Sequence, residues 1–157
     1  SFHRGGGAMA LLEESIRIEV KKAFQELTDP VRLIVFSQGQ GGIPECQMCA
    51  DTRTLVEEIS SLHEKIEFEI RDFVADSALA DQLRVDKIPA IAVLAGGDPP
   101  RDFGIRLYGI PAGFEFSTLV EDLLLVSRRQ HGLSLKTLSQ LDRIRGPVHI
   151  QVISTPT

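Results

Sequence analysis

The sequence predicts an α/β domain with a mixed central sheet between helical layers. Three observations predict it: two short, almost wholly apolar β-branched runs at Val31–Phe36 and Ala90–Ala95, helical apolar spacing in the segments between and around them, and the order α-β-α-β-α-β-β-α that results. Parallel strands joined by a helix, followed by an antiparallel hairpin and a covering helix, satisfy that order with short connections.

The elements follow from residue spacing. Leu12, Ile16, Val20, Ala23, Phe24 and Leu27 recur on one helical face, and Asp29-Pro30 ends the run. Val31–Phe36 reads as a strand buried on both faces and therefore central. Residues 37–44 (SQGQGGIP) are polar and glycine-rich, a loop that delivers Glu45 and Cys46 to the next helix. Leu55, Val56, Ile59, Leu62 and Ile66 give that helix its buried stripe. Ile66, Phe68 and Ile70 alternate with Glu67, Glu69 and Arg71, the pattern of a half-exposed strand. Residues 77–83 form a short helix capped by Asp76 or Ser77. Ala90–Ala95 is the second buried strand, and the turn Gly96-Gly97-Asp98-Pro99-Pro100 leads to its hairpin partner over 104–108. A long helix over 116–129 buries Leu119, Val120, Leu123, Leu124 and Val126. The tail reads as a further helix over 134–144 and a strand over 148–153 (VHIQVI) with no evident partner.

Composition narrows the function classes. The chain has 157 residues, 43% hydrophobic, 25% charged, with a formal net charge of -5. A core of useful size forms without stapling, and a mildly acidic surface disfavours nucleic acid. No apolar run reaches the roughly 20 residues that span a bilayer, and no signal peptide precedes the first helix, so a cytoplasmic protein is expected. Residues 1–8, with three consecutive glycines ahead of Met9, read as a vector-derived scar, and His3 and Arg4 carry no functional weight.

The chemistry rests on the only two cysteines, Cys46-Gln47-Met48-Cys49, placed between a strand and a helix. In a reducing compartment such a pair is catalytic or metal-binding sooner than architectural. A helix N-terminus favours a thiolate on the first cysteine. Two alternatives stand beside the redox reading. Both thiols are small apolar core residues in one. In the other they hold zinc, which needs about four ligands, yet His63, His131 and His149 lie on separate elements.

Cys46-Gln47-Met48-Cys49, Lys87-Ile88-Pro89-Ala90, Tyr108-Gly109-Ile110-Pro111-Ala112-Gly113 and the closing Ser154-Thr155-Pro156-Thr157 together resemble the N-terminal half of the two-unit protein disulfide oxidoreductases. These are glutaredoxin-like proteins built from two thioredoxin folds in tandem. The resemblance runs from about Leu11 to the end. It implies a thioredoxin-like domain over 9–131, with 132–157 a linker helix and the first strand of a truncated second unit that would carry its own Cys-x-x-Cys. The N-terminal domain of the flavoprotein component of alkyl hydroperoxide reductases is a related tandem fold.

The resemblance also implies an activity, thiol-disulfide exchange on protein disulfides. Cys46, exposed at the helix start, is the nucleophile and Cys49, one turn deeper, resolves the mixed disulfide. The redox-active disulfide serves in place of a cofactor, no metal is required, and an NADPH-dependent thioredoxin reductase-like protein is the implied electron donor. Pro89 is expected to be cis and to face the dithiol, so that the backbone of Ile88 pairs with an extended substrate. Gly109 would leave the groove open, or simply serve a strand-to-helix turn, and Met48 with Ile43 would form an apolar rim or stand exposed by chance. The strand ahead of the dithiol lacks the buried aspartate of thioredoxins, which makes Glu69 and Asp72 candidate proton acceptors, with a solvated face as their plainer role. Two other functions compete: a weakly active client-binding or structural half, and a dithiol electron relay to a peroxidase. An unpaired strand over 148–153 leaves the oligomeric state open between monomer and dimer.

Overall fold

The computed structural model describes residues 10–38, Cys46 and residues 48–155. Their elements are α1 (Glu14–Phe24), β1 (Val31–Ser37), α2 (Cys49–Ser60), β2 (Ile66–Asp72), α3 (Ser77–Gln82), β3 (Ala90–Ala95), β4 (Arg101–Tyr108), α4 (Phe114–Arg128) and α5 (Leu135–Leu141). The sheet order is β2-β1-β3-β4. β1 runs parallel to β2, Val31 opposite Ile66 and Ser37 opposite Asp72. It runs antiparallel to β3, with Phe36 opposite Ala90, and β3 pairs antiparallel with β4, with Ala90 opposite Tyr108. The two apolar runs are thus the two central strands, and the predicted α/β order is the observed one.

Strand alternation divides the core in two. Val31, Leu33 and Val35 join Ile91 and Val93 under Phe24 of α1, Leu55, Val56 and Ile59 of α2, and Leu119 and Leu123 of α4. Ile34, Phe36, Ala92 and Leu94 face the other way, onto Ala80 of α3 and the following Leu83 and Val85. At about 25 cal/mol per Å² of apolar surface removed from water, these runs supply most of the folding drive.

Two polar devices fix the periphery. The Glu58 carboxylate accepts the N–H groups of Leu11 (2.6 Å) and Leu12 (3.0 Å), so the approach to α1 is tied to α2. Ser127, fully buried at the end of α4, accepts the N–H groups of Thr28 and Asp29 and donates to the Asp29 carbonyl, which locks the turn between α1 and β1. Gly96 closes the same end of the sheet. Its N–H donates to the Pro30 carbonyl at 2.7 Å, and a Cβ there would stand 2.7–2.9 Å from Pro30 atoms, so no side chain fits.

Several boundaries differ from expectation. β4 begins at Arg101, three residues early, with Arg101 paired to Ala95 across a turn that contains the cis Asp98–Pro99 bond. The exposed Arg101 and Asp102 mask the strand signal in the sequence. On β2, Ile66 is buried while Phe68 and Ile70 stay 40% and 39% exposed, since an edge strand has no neighbour on its outer side. Ile16 is likewise partly exposed at the open start of α1.

The largest correction concerns the tail. The expected helix over 134–144 shortens to Leu135–Leu141, capped by the Ser134 hydroxyl, which accepts the Thr137 N–H, and it buries nothing. No strand forms over 148–153, where Val148, Ile150, Val152 and Ile153 are all exposed. A strand exists through its ladder, and this segment pairs with no strand among the described residues. No helix among the described residues is long and apolar enough to cross a membrane.

Candidate active site

β1 and β2 end, and β3 begins, at the same edge of the sheet where β4 also finishes, and the chain passes from that edge into α2. Cys46 and Cys49 lie there, joined by a disulfide with their Cα atoms 5.4 Å apart. Cys49 is the first helical residue and is 3% exposed, whereas Cys46 precedes the helix and is half-buried. The helix start is built by local bonds: the Cys49 N–H donates to the Cys46 carbonyl (3.1 Å), and the Thr52 N–H and hydroxyl both donate to the Met48 carbonyl (2.9 and 2.7 Å). Thr52 is fully buried, so this carbonyl is anchored to the core. Met48 stands 51% exposed beside the pair, while Ile43 and Glu45 lie outside the described residues.

At the same end of the sheet, the Ile88–Pro89 bond ahead of β3 is cis, and the Gly109 N–H donates to the Pro89 carbonyl at 2.9 Å. That bond joins the entry to β3 and the exit from β4 into one wall. Gly109 has φ +80°, which favours glycine, and no atom lies within 4 Å of where a Cβ would stand. Conformation therefore accounts for the glycine, and the space beside it is open among the described residues.

Sequence reasoning overlooked a second tie in this wall. The Lys87 ammonium sits over the Tyr108 ring, 4.5 Å from its centroid, and 3.1 Å from Asp86. Its hydrogen bond, with its charge, holds the Asp86 carboxyl below the ordinary carboxylate range. The Tyr108 hydroxyl donates to the Arg84 carbonyl at 3.4 Å. The signal was an isolated tyrosine next to Gly109 and a lysine next to Ile88, each legible only when β3 and β4 pair.

The two candidate acids separate. Glu69 stands opposite Ile34, whose side chain faces α3, and its carboxylate accepts from Arg71 Nε (3.1 Å) and Nη2 (2.6 Å). It therefore occupies the face away from α2, because one step along a strand reverses the side chain. Asp72 ends β2 opposite Ser37, at the dithiol's end of the sheet, and its Oδ1 accepts the N–H groups of Val74 and Ala75. Of the histidines weighed for zinc, His63 and His131 each accept a backbone N–H two residues on, from Lys65 and Leu133.

Gln38 was also missed. Its side-chain carbonyl accepts the Cys46 N–H at 2.9 Å across eight residues of sequence. Nothing in a glutamine within a polar loop announces such a bond.

No family model matches the chain. A curated "NADH dehydrogenase" of Bacillus subtilis is 27% identical over 141 residues, which are 90% of this chain and 24% of that protein. The chain thus spans about a quarter of the length of the curated relatives it matches. Among solved structures, a protein disulfide oxidoreductase from Aeropyrum pernix superposes with TM-score 0.71 at 25% identity, covering 85% of this chain and 56% of that one. The N-terminal domain of alkylhydroperoxide reductase AhpF from Enterococcus faecalis superposes with TM-score 0.72 at 23% identity, covering 83% and 59%. The chain has a thioredoxin-like fold, similar to those of a protein disulfide oxidoreductase and of the AhpF N-terminal domain, with a Cys-x-x-Cys disulfide at the start of its second helix.

Proposed function

We propose that this chain is a thiol-disulfide oxidoreductase that acts on protein disulfides through Cys46 and Cys49. The disulfide between a half-buried Cys46 ahead of α2 and a buried Cys49 at its first residue, beside the Pro89 and Gly109 wall, carries the reading. In the dithiol form the Cys46 thiolate attacks one sulfur of a substrate disulfide. That bond breaks, the leaving thiolate takes a proton, and a mixed disulfide remains. The Cys49 thiolate then attacks Cys46 Sγ and expels the second substrate thiolate, which is protonated in turn. Two electrons pass from the dithiol to the substrate, and reversal of the same steps oxidises a substrate dithiol.

The surroundings support the assignment of roles. Cys49 is held at the helix start, so its sulfur competes for Cys46 as an intramolecular nucleophile at high effective concentration. Ile88 offers backbone groups to an extended peptide, Gly109 leaves space for it, and Met48 adds an apolar contact. In this reading Asp72, at the dithiol's end of the sheet, takes the Cys49 proton, since Glu69 is engaged by Arg71 on the opposite face. The dithiol carries the electrons itself, re-reduced by a thioredoxin reductase-like protein in a cytoplasmic setting. The greater length of the relatives, together with the uncovered apolar residues of α5 and 148–153, supports reading 132–157 as the passage into a second unit.

Trapping tests the proposal. Cys49→Ser should accumulate mixed disulfides with client proteins that dithiothreitol releases, and Cys46→Ser should form none and lose insulin reduction. Turnover retained in Cys46→Ser would end it. The "NADH dehydrogenase" relatives and the alkylhydroperoxide reductase neighbour favour one second reading, a dithiol relay inside a longer nicotinamide-fed reductase. A single peroxidase in the trap, in place of many clients, would select it.

A further inference from the structure

We propose that Gln38 is a positioning residue for Cys46, an inference that rests on the thiol-disulfide exchange proposed above. Gln38 follows directly on Ser37, the last residue of β1. Ser37 is buried, and its carbonyl accepts the Phe73 N–H at 2.9 Å, so the root of Gln38 belongs to the rigid sheet. From there the side chain reaches the Cys46 N–H at 2.9 Å. Because Cys46 presents a donor, the end of the amide that meets it is the carbonyl.

With the Cys46 carbonyl accepting the Cys49 N–H, both backbone polar groups of Cys46 are engaged. One bond ties it to the sheet, the other to the helix that carries its partner thiol. Neither β1 nor α2 contains Cys46 itself, so among the described residues the Gln38 bond is what ties its backbone to the end of β1. Fixing the residue on both sides narrows the directions its Cβ–Sγ bond explores, and closure of the four-residue disulfide ring then costs less conformational entropy. The effective concentration of the two thiols, and with it the dithiol–disulfide equilibrium, therefore depends on a side chain that touches neither sulfur.

Two variants separate acceptor from shape. Gln38→Met keeps the length and removes the carbonyl. Gln38→Glu keeps an acceptor and adds a negative charge beside Cys46, which disfavours its thiolate. The full chain is equilibrated against glutathione redox buffers, the reduced chain is alkylated with iodoacetamide across pH, and urea unfolding is followed on both variants. Gln38→Met is expected to lower the effective concentration about tenfold, equivalent to ~30 mV for a two-electron couple. Gln38→Glu should move the pH midpoint of Cys46 alkylation upward.

An equilibrium constant for Gln38→Met equal to the parent's would overturn the inference, as would an unmoved midpoint in Gln38→Glu. Lowered unfolding stability with both redox readouts unchanged would make the bond merely structural and overturn it too. Failure of the parent chain to exchange with glutathione at all would count against the proposed function instead. The alkylation profiles of the reduced chains would still decide for or against Gln38.

Discussion

Replacing Ser127 by alanine should cost the fold several kilocalories per mole and leave the thiol chemistry untouched. The Ser127 hydroxyl is fully buried and makes three bonds, accepting from the Thr28 N–H at 2.8 Å and the Asp29 N–H at 3.1 Å and donating to the Asp29 carbonyl at 2.7 Å. Alanine fits the space but deletes all three. The Ser127 backbone carbonyl survives, and it still takes the Thr28 hydroxyl (2.9 Å) and, at 3.3 Å, the Asp29 N–H. The Thr28 N–H and the Asp29 carbonyl are left without those partners in a part-buried turn. With about 1–3 kcal/mol for each stranded group, the loss comes to about 2–6 kcal/mol. For a chain of this size ~3 kcal/mol lowers the thermal midpoint by roughly 6–12 °C. Urea unfolding followed by circular dichroism should show a lower midpoint at unchanged slope. The turn precedes β1 and the dithiol follows it, at opposite ends of the strand, so the glutathione equilibrium should not move. A destabilisation under about 0.5 kcal/mol, the size of an ordinary surface change, would refute the claim that the hydroxyl locks the turn.

Two further predictions concern pH. The Arg106 guanidinium, hydrogen-bonded to Asp102 and to the Leu83 carbonyl, holds the Asp102 carboxyl below its ordinary range, with help from the Gly104 N–H and against partial burial. A lowered native pKa gives stability that is present above the unfolded value of about 3.9 and lost as pH falls through the native one. Asp102→Asn should therefore be less stable than the parent at pH 7, with a gap that closes below about pH 4, and a gap constant from pH 7 to 3 in urea titrations would contradict the pairing. Asp122, half-buried on α4, is pushed upward by burial and by the neighbouring Glu121. The sign reverses: the contribution is fully present below the unfolded value and lost as pH rises through the native one. Asp122→Asn should gain on the parent as the solution is taken from acid to neutral, and a variant that loses ground over that range would show that the carboxylate is favourably held.

How much of this was legible in the sequence follows from how local each signal is. Val31–Phe36 and Ala90–Ala95 declared themselves because a strand covered on both faces must be apolar throughout, and no helical surface has that composition. The Cys46–Cys49 pair was legible for a similar reason: only a strand-loop-helix context makes two lone cysteines a dithiol at a helix start. Gln38 and the Lys87–Tyr108 contact were not legible. Each joins residues separated in sequence, through a register that the residues themselves do not encode. The segment 148–153 shows the converse error. Its alternation is a true statement about propensity, and propensity without a partner edge makes no ladder.

The two acids show how far a single register decides chemistry. On the α2 side of the sheet the inward positions are Val31, Leu33 and Val35 of β1, Ile66, Phe68 and Ile70 of β2, and Ile91 and Val93 of β3, every one apolar. Glu69 misses that face by one residue and pairs with Arg71 on the opposite one. Among the described residues, the strands carry no carboxylate on that face short of Asp72 at the end of β2. At the end of the sheet where β2 stops, Asp72 stands opposite the end of β1, Gln38 just beyond it accepts the Cys46 N–H, and the Gly109 N–H ties the exit from β4 to the Pro89 carbonyl at the entry to β3. An apolar sheet thus leaves the disulfide and the polar residues around it, Gln38 and Asp72 among them, to the strand ends and connections at one end of the sheet.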